Sequence, residues 1–178
     1  MLEMFYPYEY VDSVFSIDFQ ALWEKGYRGL IFDIDNTLVH HGDDATAEVD
    51  GLFLRLHSIG FKTLLLSNNT AERVARFTQN IGCPYIADAN KPNPASYRKA
   101  VEMLRIRTDE AIVIGDQIFT DIYGANRCGI PSILVHYMQL PGETKIGVRR
   151  HIEKIILQFY NWNGACKGRI GNIAKESG

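Results

Sequence analysis

The stretch "LIFDIDNTLV", residues 30–39, decides how the rest of the chain is read. Leu30, Ile31 and Phe32 form an apolar run without alternation, as expected of a strand buried on both faces. Two carboxylates, Asp33 and Asp35, stand where that run ends, and Thr37 stands two positions further on. Side chains at i and i+2 of an extended chain point the same way, so Asp33 and Asp35 can face one site together. A buried strand ending in paired acids is a rigid holder for a reactive carboxylate.

Three other runs resemble the first: "GFKTLLL" (60–66), "AIVI" (111–114) and "PSILVHY" (131–137), with a weaker fifth, "PYIA" (84–87). Helical patterns lie between them. Val49, Leu52, Phe53 and Leu56 recur at helical spacing in 45–59, where Gly60 suits the C-cap; Val74, Phe77 and Ile81 do so in 70–81. Asn93 followed by Pro94 opens a third helix through Val101 and Leu104. Thr120 is placed to cap a fourth, short one that ends near Gly129. Strands alternating with helices predict a central parallel sheet covered on both faces.

The 178 residues fit one domain, assigned to 1–160. It includes an aromatic N-terminal segment, 1–25, read as cover for the core or, less simply, as a membrane anchor. It closes on an amphipathic helix at about 146–160, with Ile152, Ile155, Ile156 and Phe159 on one face to cover the sheet or a partner. The glycine-rich remainder, 161–178, reads as a flexible tail. A formal charge of −2 offers no broad basic field, so no nucleic-acid partner is expected. Cys83, Cys128 and Cys166 are scattered and odd in number, which suits reduced thiols rather than a disulfide framework or zinc site. With neither a basic leader nor a run of about 18 apolar residues, a cytoplasmic protein is expected, with peripheral membrane contact left open.

Ligands of open parallel sheets bind beyond the carboxyl ends of the strands. Those ends carry Asp33, Asp35 and Thr37; Ser67, Asn68 and Asn69; and Asp116, Gln117, Thr120 and Asp121, while a loop adds Lys91. Gathered acids repel unless a cation joins them, and all-oxygen donors suit a hard divalent ion, Mg²⁺ above all. Ser67 can donate to a phosphate oxygen and Lys91 can offset its charge. The set reads as a phosphoryl-transfer site. One acid of the D-x-D pair attacks phosphorus; the other protonates the leaving oxygen and later takes a proton from water.

"DIDNTL", Ser67, Lys91 and "GDQIFTD" together resemble the haloacid dehalogenase (HAD) superfamily of phosphatases in order, type and spacing. Within it, "FDIDNTLV", "SNN", "KPNP" and "GDQIFTDI" resemble the YqeG-type subfamily, related to phosphatidylglycerophosphate phosphatases. The resemblance implies a three-layer Rossmann-like fold. It makes Asp33 the nucleophile and a metal ligand. Asp35 becomes the acid/base, with its main-chain carbonyl on the metal. Thr37 supports the loop and orients Asp35, Ser67 binds the phosphoryl group, and Lys91 steadies Asp33. Asp116 completes the metal site, and Asp121 braces Lys91 or the metal's waters. The substrate it favours is phosphatidylglycerophosphate, a lipid headgroup at a membrane.

Many HAD enzymes insert a cap domain, but the gaps 39–60 and 67–91 have no room for one. An open cleft suits large substrates, such as a lipid headgroup, a phosphoprotein or a nucleic-acid end. Asn68 is expected to cap the helix that follows it. His40 and His41 are expected in a solvent-exposed loop, and Arg73 and Arg76 at exposed helix positions. Two other functions compete: a non-catalytic binding module on the same scaffold, and a receiver-like phosphoacceptor. The converging acids count against the first and the D-x-D-x-T run against the second.

Overall fold

The computed structural model describes residues 2–138 and 147–175. Six strands form one sheet: β1 (Glu9–Val11), β2 (Gly29–Phe32), β3 (Lys62–Leu66), β4 (Tyr85–Ile86), β5 (Ala111–Gly115) and β6 (Ser132–Val135). Their order is β1-β6-β5-β2-β3-β4, and every pairing is parallel. All five apolar runs are strands. The sixth, β1, comes from the aromatic N-terminal segment; only three residues long and carrying Glu9, it gives no strand signal in the sequence.

The register sets the site. Phe32 lies opposite both Leu65 and Ile114, so β2, β3 and β5 end level with one another. The Asp33 amide extends the ladder by donating to the Ile114 carbonyl at 2.9 Å, and the Ser67 amide does so to Ile86 at 3.0 Å. Asp33, Ser67 and Asp116 therefore leave the sheet at one edge.

Side chains alternate across the strands. Leu30, Phe32, Leu65 and Ile114 face α1 (Phe19–Glu24), α2 (Ala47–Ile59) and α3 (Ala71–Phe77). Ile31, Leu64, Leu66 and Val113 face α4 (Pro94–Leu104) and α5 (Tyr123–Arg127). These two cores make the α/β three-layer fold expected from the sequence. Val49, Leu52, Phe53 and Leu56 of α2 are all buried, between a Thr46 N-cap and Gly60 in the left-handed region at φ 116°. Asn93 caps α4, with its side chain accepting from the Ala95 amide at 3.1 Å. No inserted domain occurs among the described residues: between β2 and β3 there is only a loop and α2.

Three expectations change. Thr120 is no helix cap; it lies inside a wide π-type turn, Ile118–Ile122, that leads into α5. The C-terminal helix, α6 (Val148–Trp162), is rotated from its expected face: Glu153, Ile156 and Tyr160 are buried, whereas Ile152, Ile155 and Phe159 are exposed. Residue 146, where that helix was expected to begin, lies outside the described residues. The described part of the supposed tail is packed. Ile170 and Ile173 join the core, the Ile170 and Gly171 amides both donate to Glu9 at 3.0 Å, and the Arg169 guanidinium stacks 3.7 Å over Tyr8. The backbone of this segment is tied down as well: the Asp18 amide donates to the Ile173 carbonyl at 2.7 Å and the Lys175 amide to the Ser16 carbonyl at 3.0 Å. The three cysteines are free thiols, and burial pushes Cys83 up to about 11, which keeps it inert.

Candidate active site

The loop after β2 carries two carboxylates to the wall of one cleft. Asn36 adopts φ 59°, and the Asn36 amide donates to the Val39 carbonyl at 2.7 Å, closing a tight turn over "DIDNTLV". Thr37, inside it, is fully buried, and its hydroxyl lies 3.5 Å from Asp116 Oδ1. Asp33 and Asp116 are nearly buried, and so are Lys91 and Asp121.

Lys91 lies between two acids. Its Nζ donates to Asp33 Oδ1 at 2.6 Å and to Asp121 Oδ1 at 2.7 Å. The other oxygen of Asp121 accepts from the Gln117 amide at 3.1 Å, so Asp121 is locked at the start of the wide turn. A side chain at position 115 would collide with it, since a Cβ there would sit 2.4 Å from Asp121 Cγ; this close approach is why Gly115 ends β5. Asn68 places the lysine's backbone: the Lys91 amide donates to Asn68 Oδ1 at 2.7 Å. That is a different job from the expected helix cap, which Thr70 performs by accepting from the Arg73 amide.

Asp33, Asp116 and Asp121 each bring one carboxylate oxygen within 4.8 Å of the others, a spacing that one cation can bridge. Burial, with further repulsion from Asp33 and Asp121, pushes Asp116 up to about 8 against the pull of Arg150. Burial likewise pushes Asp33 up to about 6, with Lys91 opposing. Burial works against the charge on Lys91, but Asp121 and Asp33 outweigh it and hold the ammonium above its usual range.

Asp35, expected to meet the metal through its main-chain carbonyl, has its side chain held by neighbouring loops. Its oxygens accept from Asn69 Nδ2 at 2.6 Å and from the Gly42 amide at 3.0 Å. Arg73 lies 3.5 Å from the same carboxylate with its side chain largely covered, rather than exposed on the helix surface. His41 is solvent-exposed as expected, 3.6 Å from Asp35, while Arg76 pairs with Asp44 at 2.8 Å. Ser67 is buried and its Oγ accepts from the Asn69 amide at 3.1 Å, which leaves its hydrogen free to donate. Asp33, Asp35, Ser67, Lys91, Gln117 and Thr120 line one solvent-open cleft.

Two charged residues of the site carry no motif signal. Arg150 of α6 donates to the Asp116 carboxylate and, at 2.6 Å, to its main-chain carbonyl. Glu153 accepts from Arg150 at 2.9 Å and from the Ile118 amide at 2.8 Å. The available signal was Glu153 itself, a charge on the helical arc of Ile156 and Tyr160.

A HAD-hydrolase-like family model matches residues 88–138, which include Lys91, Asp116 and Asp121. The chain is 37% identical over 137 residues to a probable phosphatase, YqeG, of Bacillus subtilis, covering 76% of this chain and 80% of that protein. It is 25% identical over 150 residues to the chloroplastic phosphatidylglycerophosphate phosphatase 1 of Chlamydomonas reinhardtii, 77% of this chain and 55% of that one. The fold matches the crystal structure of an uncharacterized protein from Listeria monocytogenes serotype 4b at TM-score 0.52 and 20% identity, covering 75% and 99% of the two chains. This chain is a phosphatase and belongs to the HAD-like hydrolase family.

Proposed function

We propose that the enzyme hydrolyses a phosphomonoester through an aspartyl-phosphate on Asp33, with Mg²⁺ as its metal and phosphatidylglycerophosphate as its substrate. The observation that carries this reading is Lys91 bridging Asp33 and Asp121 inside a group of three converging acids. When all are ionised, four carboxylates, Glu153 included, face one ammonium and one guanidinium, a formal deficit of two positive charges. Hard oxygen donors and this deficit both fit Mg²⁺, held by Asp33, Asp116 and the Asp35 carbonyl. Bound there, the ion neutralises charge on the transferring phosphoryl group.

The residues then divide the work. Lys91 holds Asp33 in place and opposes its protonation. An Asp33 oxygen attacks phosphorus as the bond to the ester oxygen breaks, and Asp35 gives that oxygen its proton. Asp35 next takes a proton from water, whose oxygen attacks phosphorus; the bond to Asp33 breaks and inorganic phosphate leaves. Ser67 donates to a phosphoryl oxygen, Thr37 steadies the loop and Asp121 fixes Lys91.

Three features support a lipid headgroup over a small metabolite. The cleft has no cap among the described residues. The Chlamydomonas relative is named for this substrate. Finally, Val148, Ile152, Ile155, Phe159 and Trp162 form an exposed apolar stripe along α6. Arg149 and Lys154 flank it, and the one acid of α6, Glu153, is buried. A basic helix with an apolar stripe suits an anionic bilayer surface. Ile152 and Arg149 also line a depression shared with Lys91 and Thr120, so the stripe reaches the cleft rim. No described helix is long and apolar enough to cross a membrane, so we propose a cytoplasmic enzyme bound peripherally.

The test is phosphate release from phosphatidylglycerophosphate in vesicles, beside p-nitrophenyl phosphate, a phosphopeptide and sugar phosphates. Turnover that needs Mg²⁺, favours the lipid and vanishes in Asp33→Asn supports the whole reading. Equal or better turnover of the phosphopeptide overturns the lipid assignment, and turnover undiminished by EDTA overturns the metal.

A further inference from the structure

Arg150 reaches the acidic cluster from α6, 34 positions along the chain from Asp116. One guanidinium nitrogen, Nη2, donates to Asp116 Oδ2; the other, Nη1, donates to the Asp116 carbonyl at 2.6 Å and to Glu153 Oε2 at 2.9 Å. Its face lies 4.6 Å over the Tyr137 ring. Glu153 is itself fixed, because its second oxygen accepts from the buried Ile118 amide at 2.8 Å. On the far side, the Thr37 hydroxyl meets Asp116 Oδ1 at 3.5 Å. The carboxylate is thus gripped at Oδ2 and at its own backbone by a single planar fork, a geometry that a lysine cannot reproduce.

We propose that Arg150 is a positioning residue that sets the affinity of the site for its divalent cation by fixing the rotamer of Asp116. The inference rests on Asp116 being a metal ligand. With Oδ2 occupied by Arg150, Asp116 offers its remaining lone pairs to the space shared with Asp33 and Asp121. Without the fork, a buried carboxylate beside two others turns away from them. Groups that hydrogen-bond a metal-ligating carboxylate typically set affinity by about 10- to 100-fold. Glu153 steadies Arg150 in turn, which accounts for an acid in the buried face of α6.

The test is calorimetric titration of MgCl₂ into the EDTA-stripped full-length protein. Arg150→Gln is expected to weaken Mg²⁺ binding about 10- to 100-fold, with far-UV circular dichroism unchanged. Arg150→Lys should remain within about threefold of Arg150→Gln, since it keeps the charge but loses the fork. Glu153→Gln, which leaves Arg150 in place, should weaken binding by a smaller factor and serves as the informative variant if Arg150→Gln does not fold. Unchanged or tighter Mg²⁺ binding in Arg150→Gln, or full recovery in Arg150→Lys, overturns the inference while leaving the proposed function intact. If Arg150→Gln is unfolded, unchanged binding in Glu153→Gln overturns it. A wild-type protein that binds no Mg²⁺ overturns the metal reading and this inference with it.

Discussion

Lys91 and Arg150 serve the three clustered acids Asp33, Asp116 and Asp121, and they arrive by different routes. Lys91 sits on the loop between β4 and α4, inside "KPNP", and joins Asp33 to Asp121. Arg150 comes from α6, near the end of the chain, and holds Asp116. The first arrangement is spelled by Asp33 at the end of β2 and by Lys91 and Asp121 in the segments that follow β4 and β5, where Asn68 and the Gln117 amide fix them. The second depends on how one helix rolls on the outside of β6. Chemistry at strand ends is readable from the sequence, whereas support supplied from a distant surface helix is not.

The largest effect expected at the Lys91 side is on turnover. Asp33→Asn keeps the shape of the carboxylate but removes the nucleophile, and kcat should fall at least about 10³-fold. A smaller loss would assign the attack to another group. Next comes stability. Lys91→Met leaves Asp33 and Asp121 buried without their cation, and breaking a buried pair in this way costs about 3–5 kcal/mol. Urea unfolding measures it, and a cost below about 1 kcal/mol would mean that water reaches the pair freely. Gly115→Ala, which drives a methyl group into Asp121, should cost roughly 1–3 kcal/mol and lower activity with it.

The buried acids also leave a pH signature. Burial pushes Asp33 up to about 6 and Asp116 up to about 8, while carboxyls in unfolded chains ionise near 4. Between those values the metal-free folded protein holds protons that the unfolded chain has released. The resulting stabilisation is complete below about pH 4 and is lost as the pH rises through 6 and then 8. In EDTA, the urea midpoint of the wild type should therefore fall between pH 5.5 and 8.5, with Asp116→Asn flattening the upper part of the fall. A rising midpoint, or no change in that variant, would contradict the burial argument. The smallest stability effect belongs to the stripe on α6. Ile155→Glu, half exposed at 52% relative accessibility on its helix, should change the unfolding free energy by under about 0.5 kcal/mol while abolishing co-sedimentation with anionic vesicles. Retained vesicle binding would move the membrane surface elsewhere.

The sequence shows the parallel sheet clearly because β2, β3, β5 and β6 are buried on both faces and leave unbroken apolar runs. It also shows which residues share the cleft, since each directly follows a strand or a fixed loop. What it hides has physical reasons. The β1 strand is an edge strand of three residues, and its polar Glu9 bonds the packed C-terminal segment. Four apolar residues of α6 fit one helical arc, but the buried arc is set instead by Glu153 meeting the Ile118 amide and Arg150 meeting Asp116. Asn68 looked like a helix cap because its type favours caps, whereas its side chain pairs with the Lys91 backbone across 23 positions. Asp35 does line the cleft with Asp33, but its carboxylate pairs with Asn69 and the Gly42 amide, contacts from distant loops that the D-x-D spacing does not announce.

The role of Asp33 as nucleophile is tested most directly by trapping the phosphorylated enzyme. Protein quenched in acid during turnover is reduced with borohydride, which converts an aspartyl-phosphate to homoserine, and its peptides are mapped by mass spectrometry. Homoserine is expected at position 33 alone, formed only when substrate is present. Homoserine at position 35 or 116, in place of 33, would contradict that role.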